Sequence, residues 1–151
     1  MTALRFAKMH GCGNDFVMID DRERRWLDRR ADLTRRLCDR RIGIGADGVI
    51  LLTRPSGGGD LAMVYVNADG QDGEMCGNGA RCTARFAAHL GLVDDQAAIE
   101  TAAGTIHAEI DGAEVRLSMT DPHSFVFGRK IAVAGQEWVF DSVDTGVPHA
   151  V

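Results

Sequence analysis

Residues 61 to 90 read Leu61-Ala-Met-Val-Tyr-Val-Asn67-Ala-Asp-Gly70-Gln-Asp-Gly73-Glu-Met-Cys76-Gly-Asn-Gly79-Ala-Arg-Cys82-Thr-Ala-Arg-Phe-Ala-Ala-His-Leu90. An apolar, β-rich run leads into a turn rich in glycine and aspartate. From Ala80 to Leu90 there is neither proline nor glycine, so this stretch predicts a helix that Gly91 ends. Cys76 then stands at the entrance of that helix, beside unpaired backbone N–H groups and the positive end of the helix dipole. Both favour a thiolate, and a thiol with a reference pKa of about 8.5 becomes a usable base or nucleophile there. A buried, inert cysteine is the plainer alternative. It is weakened by Gly77, Asn78 and Gly79, three poor helix formers in one turn, which suit a site that holds an anion on backbone N–H groups.

Outward from this segment, the chain reads as alternating strands with few helices. Leu4 to Met9 and Phe16 to Ile19 predict strands around a glycine-rich turn, and Gly48 to Thr53 and Leu61 to Asn67 predict neighbouring strands across a flexible Pro-Ser-Gly-Gly-Gly loop. Ala97 to Thr101, Thr105 to Ile110 and Ala113 to Met119 follow, with Asp111-Gly112 as a hairpin turn. Ile131 to Val133 and Glu137 to Asp141 predict one more hairpin. Between Asp20 and Arg41 lie nine arginines and six acids, with an amphipathic helix expected from about Asp32 to Arg40 and its arginines on a solvated face. The fold class is α+β, mostly antiparallel. The expected division is 1–122 and 123–151, and the second part looks like the opening of a further lobe, so a fragment is expected.

Bulk properties exclude several classes. A chain of 151 residues with 45% hydrophobic residues can bury a real core, and a formal charge of −5 argues against a dedicated nucleic-acid or membrane-surface protein. No uncharged run is long enough to span a bilayer, and the N-terminus lacks the apolar region of a signal peptide, which makes the cytosol the expected compartment. Cysteines at 12, 38, 76 and 82 show no metal-binding or disulfide-framework spacing, so neither a metal nor a disulfide is expected. Gly43-Ile-Gly45-Ala-Asp47-Gly48 matches G-x-G-x-x-G, but with a helix before it and a strand after it, the reverse of a dinucleotide fingerprint. It is better read as a helix-to-strand connection. The only lysines are Lys8 and Lys130, neither in a phosphate-loop context, which makes a pyridoxal Schiff base improbable.

Asn14 and Asn67 lie at strand ends beside glycine or alanine, where an Asx-turn is the ordinary role. Their joint pattern suggests more. Lys8-Met-His-Gly-Cys-Gly-Asn14-Asp-Phe16, Gly43-Ile-Gly-Ala-Asp47, Asn67-Ala-Asp-Gly70 and Cys76-Gly-Asn-Gly-Ala-Arg-Cys82 occur in the order and spacing of diaminopimelate epimerases, and the resemblance covers the whole chain. It implies a cofactor-independent isomerase interconverting LL- and meso-diaminopimelate, on the route to lysine and a peptidoglycan precursor, with two cysteines acting on opposite faces of one carbon. Cys76 resembles one of that pair. Gly77 and Asn78 resemble the backbone donors to the α-carboxylate, Asn14 and Asn67 resemble substrate-positioning side chains, and His149 resembles a residue that tunes the cysteines. The implied architecture is a lobe whose sheet curls barrel-like around a central helix, in a homodimeric enzyme. Gly48 and Val147 stand where some members carry substrate-touching side chains. A proline racemase-like or phenazine-type isomerase is the nearest alternative, and a non-catalytic anion-binding single-lobe module is the alternative from another class.

Overall fold

The computed structural model describes residues 3–119 and 121–151, which form two compact units, Met1–Ser118 and Met119–Val151. In the first, strands β1 (Ala7–Gly11), β2 (Asn14–Asp20), β3 (Gly48–Thr53), β4 (Leu61–Asn67), β5 (Gln96–Thr101), β6 (Gly104–Asp111) and β7 (Glu114–Ser118) form one sheet in sequential order. Helix α1 (Arg30–Cys38) connects β2 to β3, and α2 (Gly77–His89) connects β4 to β5. Those two junctions are parallel, and the four others are antiparallel. The expected α+β, mostly antiparallel sheet is present, with the two parallel pairs as the detail that strand composition does not reveal.

Each helix covers one face of the central strands. Phe16, Met18, Ile50 and Leu52 pack toward α2, while Val17, Ile19, Val49 and Leu51 join Cys38 and Leu37 on the α1 side. This is why β3 is buried at all six positions and reads as an unbroken apolar run. Each large apolar side chain so buried contributes about 1.5–3 kcal/mol. Helix α2 touches all seven strands, including both edges, β1 and β7, so the sheet curls around it. Its buried face is largely small (Gly79, Ala80, Ala84, Ala87), with Phe86 as the large anchor, and this lets the curl close tightly. The helix ends in a Schellman motif: Gly91 at φ 69° donates to Ala88 O, and Leu92 N donates to Ala87 O.

Several boundaries differ from the sequence expectation, each for a local reason. Strand β1 runs to Gly11 because Cys12 (φ 53°) and Gly13 (φ 85°) make a two-residue turn that pairs Gly11 with Asn14. Helix α1 stops at Cys38, where the Asp39 carboxylate accepts N–H bonds from Arg41 (2.7 Å) and Ile42 (3.0 Å) and turns the chain away. The second unit is a three-stranded antiparallel sheet of β8 (His123–Val133), β9 (Gln136–Asp144) and β10 (Pro148–Ala150), longer than the expected hairpin. Ala134 and Gly135, both at positive φ, form its tight turn. Nearly all of its residues are exposed.

Candidate active site

The expected catalytic cysteine occupies the N-cap of α2. Cys76 has extended backbone angles (φ −126°, ψ 112°), its sulfur accepts from Gly79 N at 3.4 Å, and its carbonyl accepts from Ala80 N at 2.8 Å. The first N–H groups of a helix have no intrahelical acceptor. Gly79 and Ala80 N–H are engaged by Cys76, and among the described residues no partner is found for the N–H groups of Gly77 and Asn78. Cys76 itself is partly buried.

Two hairpin-like turns bring the asparagines to this point. The tip of β1–β2 packs on the first turn of α2 so closely that a Cβ on Gly11 would lie 3.2 Å from Asn78 Cβ. Asn14, across the turn from Gly11, then receives the Cys76 thiol on its Oδ1 at 3.5 Å. After β4 the chain turns through Asn67-Ala-Asp-Gly70, with Gly70 N donating to Asn67 O at 2.7 Å and Gly70 at φ 87°. It returns along β4 by way of Asn67 N to Gln71 O and Gly73 N to Tyr65 O, and so delivers Cys76. Tyr65 ties the Asn67 turn to β2 and β3. Its hydroxyl donates to Asn67 Oδ1 at 2.7 Å, its ring meets Phe16 edge-on at 5.8 Å, and Gly48 and Gly73 clear space for that ring. A Cβ on either glycine would come within 2.5 Å and 2.2 Å of it. Burial, with the negative charge that Cys76 and Asp47 can carry nearby, pushes the Tyr65 phenol up to about 12.

The structure thus brings together Cys76, Gly77, Asn78 and Asn14, while Asn67, held by Tyr65, opens the turn that leads toward Cys76. His149 belongs to the second unit, on β10, where its Nδ1 donates to Val147 O at 2.9 Å and lies 3.3 Å from Thr145 Oγ1. The other thiols differ in setting. Cys38 and Cys82 are buried, and desolvation raises both to about 11, whereas Cys12 is exposed on its turn. Among the described residues no group of three or more histidines, cysteines and acids is arranged to hold a metal ion, and no helix is long and apolar enough to cross a membrane.

Sequence reading missed the support around these residues. Several arginines of the helix face, largely exposed as expected, also brace the site loops. Arg30 grips Asp72 with two bonds (2.6 and 2.5 Å), Arg35 donates to Asp69 O (3.1 Å), and Arg40 bridges Asp15 (2.7 Å) and Asp47 (2.8 Å). The Arg40 bonds, assisted by Lys8 and opposed by desolvation, hold Asp15 well below the usual carboxylate range. Alternating Arg and Asp in a sequence looks solvated, and only the fold shows which pairs are long-range.

Comparison with known proteins bears on this arrangement. A sequence model of the family described as diaminopimelate epimerase matches residues 6–126. The chain is 40% identical over 166 residues to a diaminopimelate epimerase of Synechocystis sp., covering 99% of this chain and 59% of that protein. It is 40% identical over 158 residues to one of Aquifex aeolicus, covering 98% and 56%. The chain therefore spans less than two thirds of the length of these relatives. Among solved structures it resembles a probable proline racemase from Agrobacterium radiobacter (TM-score 0.76, 20% identity, 98% of this chain and 51% of that one). It also resembles a phenazine biosynthesis protein of Bacillus anthracis (TM-score 0.64, 16% identity, 97% and 53%). At these identities the likeness is one of fold.

Proposed function

The chain belongs to the diaminopimelate epimerase family, and from that premise we propose that it carries one half of an epimerase site that inverts the α-carbon of diaminopimelate, LL to meso, without a cofactor. The observation that carries this reading is Cys76 at the N-cap of α2, its thiol on Asn14 and the first N–H groups of the helix beside it. As a thiolate, Cys76 removes the α-proton; a second thiol on the opposite face returns a proton to the same carbon. In the reverse direction the two exchange roles. The carbanion spreads its charge onto the α-carboxylate as an enediolate, which the N–H groups of Gly77 and Asn78 and the helix dipole stabilise as it forms. Asn14 and Asn67 position the substrate, and His149 tunes the cysteine pair.

None of Cys12, Cys38 and Cys82 suits the second thiol, since one is on an exposed turn and two are buried in the core. The reading therefore assigns that carrier to a part of the complete enzyme outside these 151 residues, and with it a second lobe after about residue 122. The complete enzyme is read as a cytoplasmic homodimer acting on a small molecule, without nucleic acid or membrane. In that enzyme Cys76→Ser should abolish α-proton exchange in deuterated water while circular dichroism stays unchanged; near-normal exchange would end the reading. The racemase-like fold keeps a second substrate in view. A panel of diaminopimelate, proline and hydroxyproline stereoisomers separates these cases, and binding without exchange of any of them would favour a non-catalytic module.

A further inference from the structure

The Gly43-Ile-Gly-Ala-Asp47-Gly48 segment that connects α1 to β3 carries a carboxylate, Asp47, that reaches the site. Asp47 Oδ2 accepts from Asn14 Nδ2 at 2.8 Å and from Asp15 N at 3.1 Å, while Oδ1 accepts from Arg40 Nη2 at 2.8 Å. Its own backbone is fixed as well: Asp47 N donates to Asp15 O (2.9 Å), and Asp47 O accepts from Ala68 N (3.0 Å), next to Asn67. We propose that Asp47 is a positioning residue that locks the carboxamide of Asn14 with its carbonyl oxygen toward Cys76, and so sets the direction of the Cys76 S–H bond.

The argument rests on donor and acceptor identity. Carboxylate oxygens only accept, so the end of Asn14 that faces Asp47 is the NH2. A carboxamide is planar with its two ends opposed, which turns Oδ1 away from Asp47 and leaves it 3.5 Å from Cys76 Sγ. An amide oxygen also only accepts, so the hydrogen on that line belongs to the thiol. With Gly79 N–H entering the sulfur from the helix side at 3.4 Å, the S–H bond is held in one direction. The reversed amide would set a carbonyl oxygen against a carboxylate and present NH2 to the sulfur. A single acidic residue, 33 positions from Asn14, thereby selects which polarity the site shows to its cysteine. The geometry stands alone; its catalytic consequence rests on the role proposed above for Cys76.

The test has two arms. In the 151-residue chain, the infrared S–H stretch of Cys76 is assigned by its loss in Cys76→Ser, and the Asn14 side-chain amide is followed by nitrogen-15 NMR. Asp47→Ala, which removes both acceptor oxygens, should move the S–H band toward that of an unbonded thiol and shift the Asn14 amide protons upfield, and Asn14→Ala should move the band in the same way. Asp47→Glu, which can still accept from Asn14, should restore much of the wild-type spectrum. Arg40→Gln, which removes a different Asp47 contact, should leave the band in place. In the complete enzyme Asp47→Ala should lower kcat by about tenfold or more, the scale of one charge-assisted hydrogen bond, with KM changed by less than about twofold. An unmoved S–H band in Asp47→Ala overturns the proposal, as does an equal shift in Arg40→Gln, which would make Asp47 a general support of its loop. Unchanged kcat in Asp47→Ala, with Cys76→Ser inactive, sinks the proposal alone; full activity in Cys76→Ser sinks the role of the cysteine and leaves the band shift to judge the contact.

Discussion

Cys38 and Cys82 are only 4% and 3% exposed and keep their protons to about pH 11, whereas Cys12 lies open on its turn and Cys76 is partly reachable at the helix entrance. Iodoacetamide at neutral pH should therefore modify Cys12 and Cys76 in the folded chain and spare the other two. Peptide mapping reads the outcome, and modification of Cys82 ahead of Cys76 would contradict the packing of α2. The same contrast predicts that Cys82→Ser leaves turnover of the complete enzyme nearly intact. Tyr65 offers an independent probe because it is the only tyrosine in the chain. Tyrosinate absorbance should appear with a midpoint near 12 in the folded protein and near 10.0 in urea. A folded midpoint close to the urea value would mean that the ring is not sandwiched between Gly48 and Gly73.

At the scale of elements, the connection from α1 to β3 is the most tightly constrained. A Cβ on Gly43 would lie 2.3 Å from Arg36 O, 2.7 Å from Leu37 O and 2.8 Å from Asp39 O, all backbone atoms that cannot step aside. Gly43→Ala should destabilise the fold by about 2–3 kcal/mol, as overpacking does. Gly91→Ala meets no neighbour and should lose about 1 kcal/mol, from its positive φ alone. Urea titration of both variants checks the order. Much of this level was legible beforehand. Strands β3 and β4 begin and end where their apolar runs do, and Gly91 closes α2 as its conformational freedom predicts. Asn14 and Cys76 could be named from their motifs. Asp47, Arg40 and Tyr65 could not, because what matters is which partner each finds in the fold: Asn14 for Asp47, 33 positions away, Asp15 for Arg40, 25 positions away, and the ring of Phe16 for Tyr65. Local composition carries pattern but not partnership. The parallel junctions β2–β3 and β4–β5 were hidden for the same reason, since an apolar run does not state its neighbour's direction.

For the whole molecule, the contrast between units has a measurable outcome. The first holds both core clusters, whereas β8 to β10 are almost wholly exposed in this chain. Amides of β8–β10 should exchange with solvent far faster than those of β2–β4, by hydrogen-exchange mass spectrometry. Stability should also depend on pH at both ends. Tyr65, Cys38 and Cys82 have raised values, so their contribution is complete below about pH 9 and is lost as pH rises toward about 12. Asp15 is lowered, so its contribution is present above the ordinary carboxylate range and lost as pH falls through and below it. Urea midpoints across pH should show a plateau between these flanks; a rise above pH 10 would contradict the burial of the three acids. If the second thiol lies outside these residues, as proposed, the chain alone should show no epimerisation in a coupled assay, and turnover would place a second carrier within it. Finally, the direction of the strands explains where the catalytic helix lies. The β3–β4 hairpin reverses the chain, yet the sheet keeps growing toward the same edge. Two crossovers of one hand that advance the same way, over strands that point opposite ways, must pass across opposite faces. Chirality, before any side chain is chosen, thus sends α1 to one side and leaves α2, with Cys76 at its mouth, to be enclosed by the other.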